Sequence, residues 1–326
     1  MEQKLNWGLL STAKINRALI KPLNASKRTR LLAVASRNQA SADAYAREWK
    51  IPRAHGSYEA LLHDPEIDII YNSLPNHLHA EWTIKALQAG KHVLCEKPFA
   101  LSVKEVDAVI SASKETGRVV AEAFMYRHHI QTHKVKEIVD GGKLGALQLI
   151  KGAFSFTLER EGNYRWMTEM GGGSIWDVGC YPISYARMLV GAEPVEVFGW
   201  QTTGEGGGDE TFVGQMRFSN NIHMQFDSSF RVPFRSYMEI VGTEGTLLVP
   251  NPFKPGKNNN LHLKQGDKET VLNIKGGELY MGEVDDMCDA IQKGTPTLIS
   301  LEDTRANVAV ITALLESART GRNMAI

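Results

Sequence analysis

Along the first third of the chain, apolar residues come in short continuous runs. Between the runs they recur every three or four positions. Leu5–Leu10 is the first run, and a helical pattern follows it to about Leu23. "TRLLAVAS" is apolar and β-branched, and "QASADAYAREW" after it has helical spacing. "EIDIIYNSLP" reads as a buried strand, and "HLHAEWTIKALQAG" as an amphipathic helix stopped by Gly90. "KHVLCE" is a strand, "SVKEVDAVISASKETG" a helix stopped by Gly117, and "RVVAEAF" a strand. Strands separated by helices of this length need crossovers, and crossovers build a parallel sheet.

After about Met125 the rhythm changes. A helix over 128–140 leads into the long strand "GALQLIKGAFSFTL", and one conspicuous helix follows, "SIWDVGCYPISYARMLVG". Strand patterns then succeed one another directly, from "PVEVFGWQT" to "ETVLNI", with hairpin signals "SNN" at 219–221 and "GTEG" at 242–245. Two helices close the chain, near 282–294 and 302–321, and "NPFKPGKNNN" reads as a turn-rich surface loop. The expected fold is α/β. A doubly wound parallel sheet of the Rossmann type occupies 1–124. An α+β domain with a large, predominantly antiparallel open sheet occupies 125–326. A sheet covered on one side only buries its other face against a second subunit, so a homodimer or homotetramer through this sheet is expected.

The chain has 326 residues, which suits two domains. Lys plus Arg and Asp plus Glu are both 37, so no net charge draws the protein to nucleic acid or an acidic membrane. No apolar run approaches the roughly 18 residues of a spanning helix. The start, "MEQKLNWG", has no signal core. Three scattered cysteines, Cys95, Cys180 and Cys288, argue for a reducing compartment, and the cytoplasm is the expected address. His129 and His133 stand one helical turn apart. No acidic or cysteine partner accompanies them, and a solvated or cofactor-side helix face is the better reading than a metal site.

The first strand turns into its helix through "STAKIN". In a dinucleotide-binding turn of the G-x-G-x-x-G type, the glycines would stand at Ser11, Ala13 and Asn16. Ser11 and Ala13 are the smallest substitutes available, and the anion-binding power resides in helix N-terminal amides rather than in glycine. Asn16 is expected to push the helix outward. Read by itself, the loop is equally an ordinary turn capped by Ser11 or Thr12. The second strand ends "AVASRN". An Asp or Glu there would hold the adenosine ribose of NAD, but Ser36 and Arg37 stand in its place. Arginine offers a fork of donors to phosphate, so the spacing favours NADP over NAD.

"SLPNHLHAEWTIKALQAGKHVLCEKPFALS" (73–102) and "GGGSIWDVGCYPIS" (171–184) together closely resemble the glucose–fructose oxidoreductase / inositol dehydrogenase family. The resemblance covers essentially the whole chain. Tyr181, where many members have histidine, is similar to the branch with dimeric dihydrodiol dehydrogenase and NADP-dependent D-xylose dehydrogenase. The departure is the opening loop, which is usually glycine-rich in the family. The resemblance implies hydride transfer between a nicotinamide cofactor and a sugar, polyol or related diol. It implies a nucleotide site at Ser11, Thr12, Ala13, Lys14, Ile15, Ser36, Arg37, Leu74, Asn76, His79, Glu96 and Lys97.

Lys97 follows a strand directly, where the nicotinamide would lie. A lysine beside a cationic ring should have a lowered pKa and can share a proton with a substrate hydroxyl. Without the family context, a salt bridge to Glu96 explains it as well. Pro98 is a candidate cis peptide at a tight bend. Asp177 and Tyr181 are four apart on a helix and share a face, while Gly171–Gly173 let backbone and ligand come close. For the segment alone, Asp177 could cap with Ser174 in a capping box, and Tyr181 could be core. By resemblance, Lys97, Tyr181 and Asp177 are the catalytic set, met across a cleft between the domains. Arg127 and Arg165 are substrate or carboxamide contacts by position. The rival readings are a cofactor-sensing regulator on the same fold, which need not keep this set, and a dehydrogenase of a non-sugar trans-diol.

Overall fold

A computed structural model describes residues 4–326. The chain divides into two compact units. The first takes residues to Met125 together with Tyr280–Arg305, and the second takes Tyr126–Leu279 and Ala306–Ile326.

The first unit is built on six parallel strands, β1 (Leu5–Leu9), β2 (Thr29–Ala35), β3 (Arg53–His55), β4 (Ile69–Asn72), β5 (His92–Glu96) and β6 (Val120–Ala123). Their order across the sheet is β3-β2-β1-β4-β5-β6. The order reverses between β1 and β4, so the carboxyl ends of these strands open the crevice in which such sheets bind ligands. The crossovers are α1 (Asn16–Ala25), α2 (Gln39–Trp49), α3 (Tyr58–Leu62), α4 (His79–Gln88) and α5 (Val103–Thr116). Their ends follow local chemistry. Asn38 caps α2 by accepting from the Ser41 amide at 2.8 Å. Ser102 and Glu105 form a capping box on α5, and Gly117 ends it at φ 65°. The two shortest elements, β3 and α3, carry no pattern long enough to read from sequence.

Neither compact unit is one continuous stretch of chain. The segment Tyr280–Arg305 belongs with the first unit. Within it α8 (Met281–Lys293) brings Val284 and Met287 into the core formed by Trp7, Leu9, Ile69, Tyr71 and Leu94. Periodicity marks α8 as amphipathic but cannot say which apolar surface it covers.

The second unit holds a nine-stranded sheet, ordered β14-β13-β12-β11-β7-β10-β9-β8-β15. Its strands are β7 (Leu147–Ser155), β8 (Pro194–Thr203), β9 (Asp209–Phe218), β10 (His223–Ser229), β11 (Arg235–Gly242), β12 (Thr246–Pro250), β13 (Asn258–Gln265), β14 (Lys268–Lys275) and β15 (Met324–Ala325). All neighbours are antiparallel except β7 and β10. The hairpins fall where the turn signals place them, with Asn221 at φ 62°. Gly152 of β7 stands against Pro182, so the signature helix packs on this sheet. The loop "NPFKPGKNNN" is not simply surface: Phe253 is fully buried and stacks on Phe154. On the open face Trp200 and Val213, paired across β8 and β9, are 56% and 42% exposed. Among the described residues no helix is long and apolar enough to cross a membrane.

Candidate active site

In the first unit, β1 ends at Leu9 and the chain turns through Leu10–Ile15 into α1. Ser11 is buried, and its hydroxyl accepts from the Ala13 amide at 3.1 Å, tightening the turn. It also meets Ser73 Oγ at 2.8 Å. Asn16 is fully buried and does not act as a spacer. Its amide donates to the Ser11 carbonyl at 2.7 Å and accepts from Ser73 Oγ at 2.7 Å. A side chain where the fingerprint has glycine is thus used as a strut between the loops after β1 and β4. Neither Ser11 nor Thr12 caps α1. Its N-cap, Ile15, carries no side-chain hydrogen bond. The first amides of α1 turn back onto the Ala13, Lys14 and Ile15 carbonyls, so a phosphate would be met by the turn over Thr12–Ile15 at the positive end of the helix.

At the end of β2, the Ser36 amide donates to the His55 carbonyl at 3.0 Å, while Arg37 projects into solvent. Burial raises the Tyr58 phenol, and the nearby Arg37 charge opposes that rise. No carboxylate follows β2, and the residues present fit a nucleotide bearing a ribose phosphate.

The loop after β4 carries Leu74, Asn76 and His79, all buried. The His79 ring is not offered to a nucleotide. Its Nδ1 lies 2.7 Å from the Pro98 carbonyl and its Nε2 2.7 Å from the Leu74 carbonyl. Burial pushes its pKa down to about 4, so at neutral pH the ring is neutral and its single N–H donates to one of these two carbonyls while the other nitrogen only packs against its neighbour. Beside it, Lys97 is half-buried at the carboxyl end of β5, and Lys97–Pro98 is a cis peptide. Glu96 is buried; it accepts from the Tyr71 hydroxyl at 2.5 Å and from the Lys97 amide at 3.2 Å. Glu122 braces the same bend, accepting from the Phe99 amide at 3.1 Å and from Thr304 Oγ1 at 2.9 Å. Ser73, Tyr71 and Glu122 are site supports that motif reading passes over. Each acts through a partner distant in sequence.

In the second unit the signature helix begins with a wider, π-type turn over Ile175–Gly179 and continues as α7 (Cys180–Val190). Asp177 lies in the wide turn and Tyr181 in α7, so their spacing is not one plain α-helical turn. Ser174 makes no side-chain cap. Its hydroxyl bonds Asp209 at 2.6 Å instead, which sets the capping box aside. Asp177 pairs with Arg165 at 3.1 Å. Two of the glycines before it are required by the protein's own packing. A Cβ on Gly172 would lie 2.6 Å from the Arg165 carbonyl, and one on Gly173, at φ 126°, 2.3 Å from Asp209 Oδ1.

Tyr181 is only 3% exposed, in a nest of Tyr126, Phe154 and Phe253 with ring centres 5.3–5.7 Å away. The core reading of its ring is therefore correct, whatever its hydroxyl does. Arg127 donates to Ser184 Oγ at 3.3 Å, and the Tyr126 hydroxyl donates to the same atom at 3.0 Å. His129 caps the following helix, α6 (Ile130–Asp140), by accepting from the Gln131 amide at 3.1 Å, and His133 Nε2 lies 3.0 Å from the Arg127 carbonyl.

Comparison with known proteins agrees with this architecture. Residues 5–124 match a family model described as an oxidoreductase family with an NAD-binding Rossmann fold, and residues 132–248 match the GFO/IDH/MocA C-terminal domain. The chain is 34% identical over 319 residues to a D-xylose 1-dehydrogenase (NADP(+)) of Haloferax volcanii, covering 97% of this chain and 98% of the relative. It is 32% identical over 252 residues to a trans-1,2-dihydrobenzene-1,2-diol dehydrogenase of Danio rerio, covering 76% and 74%. The crystal structure of aldose-aldose oxidoreductase from Caulobacter crescentus, complexed with glycerol, superposes with a TM-score of 0.92 at 25% identity, over 99% of this chain and all of that one. With an uncapped phosphate-type loop in its parallel sheet and both family domains matched in order, the chain belongs to the Gfo/Idh/MocA family of oxidoreductases.

Proposed function

We propose that the protein is an NADP(H)-dependent oxidoreductase acting on a sugar, polyol or related diol. The observation that carries the reading is the pairing of two features at the carboxyl ends of one parallel sheet. One is the uncapped start of α1 beside an exposed Arg37, with no carboxylate after β2. The other is Lys97 at the end of β5. The relative named for NADP and D-xylose supports the same choice of cofactor and substrate class.

Bound NADP would supply or accept the hydride at a carbinol, hemiacetal or carbonyl carbon. The turn Ser11–Ile15, at the positive end of α1, would hold the pyrophosphate, Ser36 and Arg37 the ribose phosphate, and the Leu74–Asn76 loop would line the nucleotide. Lys97 and Tyr181 take or return the proton of the reacting hydroxyl. Asp177, held by Arg165, accepts a hydrogen bond from a neighbouring hydroxyl and so orients the polyol; Arg127 is a further substrate contact. Glu96, His79 and Glu122 keep the bend at Lys97 in place.

The first unit is the nucleotide-binding part. The second is the substrate part and the self-association surface, its partner being a second copy laid on the open face around Trp200 and Val213. Three buried cysteines, with no disulfide among the described residues, fit a cytoplasmic address. The test is a turnover screen over aldoses, ketoses, inositols and cyclic trans-diols with NADP and NAD, in both directions, followed by absorbance of the reduced nicotinamide. Turnover with a sugar or polyol and NADP is expected. Tight NADP binding without turnover on any member would favour a regulator instead.

A further inference from the structure

Asp209 opens β9, far in sequence from every motif, and is 3% exposed. Its Oδ2 accepts from Ser174 Oγ at 2.6 Å and from the Ile175 amide at 2.9 Å. These donors are the first groups of the turn that carries Asp177 and leads into the helix that carries Tyr181. Its other oxygen lies where a Gly173 side chain would stand, 2.3 Å from the position of a Cβ. Ser174 Oγ is held from a third side by Ser228, 3.0 Å from its hydroxyl. The helix start thus has no cap of its own and is seated on a carboxylate from another strand.

We propose that Asp209 is a positioning residue that caps the signature helix in trans and so fixes the placement of Asp177 and Tyr181. The wide π-type turn carries no side-chain cap from its own N-cap residue, and the carboxylate that meets its first amide is that of Asp209. The two donors, the glycine cut away to admit the carboxylate and the bracing serine all converge on one group. The proposal rests on reading Asp177 and Tyr181 as substrate-site residues.

Nothing charged offsets the Asp209 carboxylate. Ser174 and Gly173 from the helix start, Ser228 from β10 and Thr203, its partner on β8, are neutral. Glu210, next on β9, is held between Arg160 and Arg231, and Asp177 is paired with Arg165. Burial then outweighs the hydrogen bonds and raises the Asp209 pKa to about 6. The ionised cap is kept at a cost in stability, which separates positioning from ordinary scaffolding.

The test compares wild type with Asp209→Asn, Asp209→Ala and Ser174→Ala. Turnover is measured with NADP and the best substrate from pH 5 to 8, together with thermal stability and amide exchange of the peptide spanning 171–181. In Asp209→Asn, kcat should fall about 10- to 100-fold, with KM for NADP unchanged. Exchange across 171–181 should quicken, and Tm at pH 8 should hold or rise. The acid limb of kcat near pH 6 should disappear. Ser174→Ala should show the same effects more weakly.

Unchanged exchange and unchanged kcat in Asp209→Asn and Asp209→Ala would overturn the proposal. So would a loss of kcat that tracks a lowered Tm while the acid limb stays. If wild type turns over no substrate, the enzymatic reading fails by itself, and exchange across 171–181 still decides whether Asp209 is the anchor.

Discussion

Replacing Arg37 by alanine tests the choice of cofactor most directly. The end of β2 offers few donors to a ribose phosphate. The Ser36 amide is already spent on the His55 carbonyl at 3.0 Å, and Ser36 itself is buried. What remains is the Ser36 hydroxyl and the exposed Arg37 guanidinium. A charge-assisted contact of this kind contributes about 1.5–3 kcal/mol. Because Arg37 is exposed, the lower half of that range applies, and about 1.5–2 kcal/mol is roughly a 10- to 30-fold change in Kd. Arg37→Ala should therefore weaken NADP by about that factor while leaving NAD almost unaffected. Arg37→Lys, which keeps the charge but loses the fork, should fall between. Calorimetric titration of both nucleotides at two ionic strengths is the assay, and the gap between them should shrink as salt screens the exposed charge. Equal weakening of NADP and NAD, or no weakening of either, would refute the placement of the ribose phosphate at Ser36 and Arg37.

Lys97→Met and Tyr181→Phe should each lower kcat by roughly 10²–10⁴. The double variant should be little worse than the poorer single one, since both act on one proton; full turnover in Tyr181→Phe would leave the tyrosine as packing. Ala13→Val should abolish nucleotide binding while the circular dichroism and Tm stay near wild type, and retained affinity by calorimetry would place the phosphates elsewhere. Glu283, fully buried with neither carboxyl oxygen bonded, has its pKa raised well above the usual carboxylate value by burial and by Glu96. A carboxyl raised in the fold costs nothing below its unfolded value and destabilises increasingly as pH climbs above it. Glu283→Met should accordingly raise Tm more at pH 8 than at pH 5, and a gain that does not vary with pH would contradict that account.

The parts legible in the sequence were those set by neighbours a few residues apart. Alternating runs and helical stretches gave the parallel sheet, Gly117 ended its helix, and the "EKP" bend put Lys97 at the end of β5. What the sequence concealed depends on partners far along the chain. Asn16 looked like an obstruction because its partner Ser73 is 57 residues away. Ser174 looked like a cap because Asp209, 35 residues on, was invisible as its acceptor. Phe253 sat among Pro, Lys and Asn, whose composition announces a loop but says nothing of one ring turned inward. His79 fell inside a recognised motif, yet its ring lies between two backbone carbonyls. Composition and period report local preference; a strut, an anchor or a clamp is a relation between two places.

The late return of α8 to the first sheet has a consequence for how the chain comes off the ribosome. Trp7, Leu9 and Tyr71 are made more than 200 residues before the Val284 and Met287 that complete their core. Until then one flank of the nascent nucleotide unit stays open to water, at the time when exposed apolar surface is most prone to stick. Domains usually fold in order of synthesis; here the nucleotide unit is finished only after most of the second unit has been made. A gene fragment cut at residue 124 would encode every strand of that sheet and still yield an incomplete body. Cloned alone, it would need α8 grafted back through a short linker before it could be expected to stay in solution.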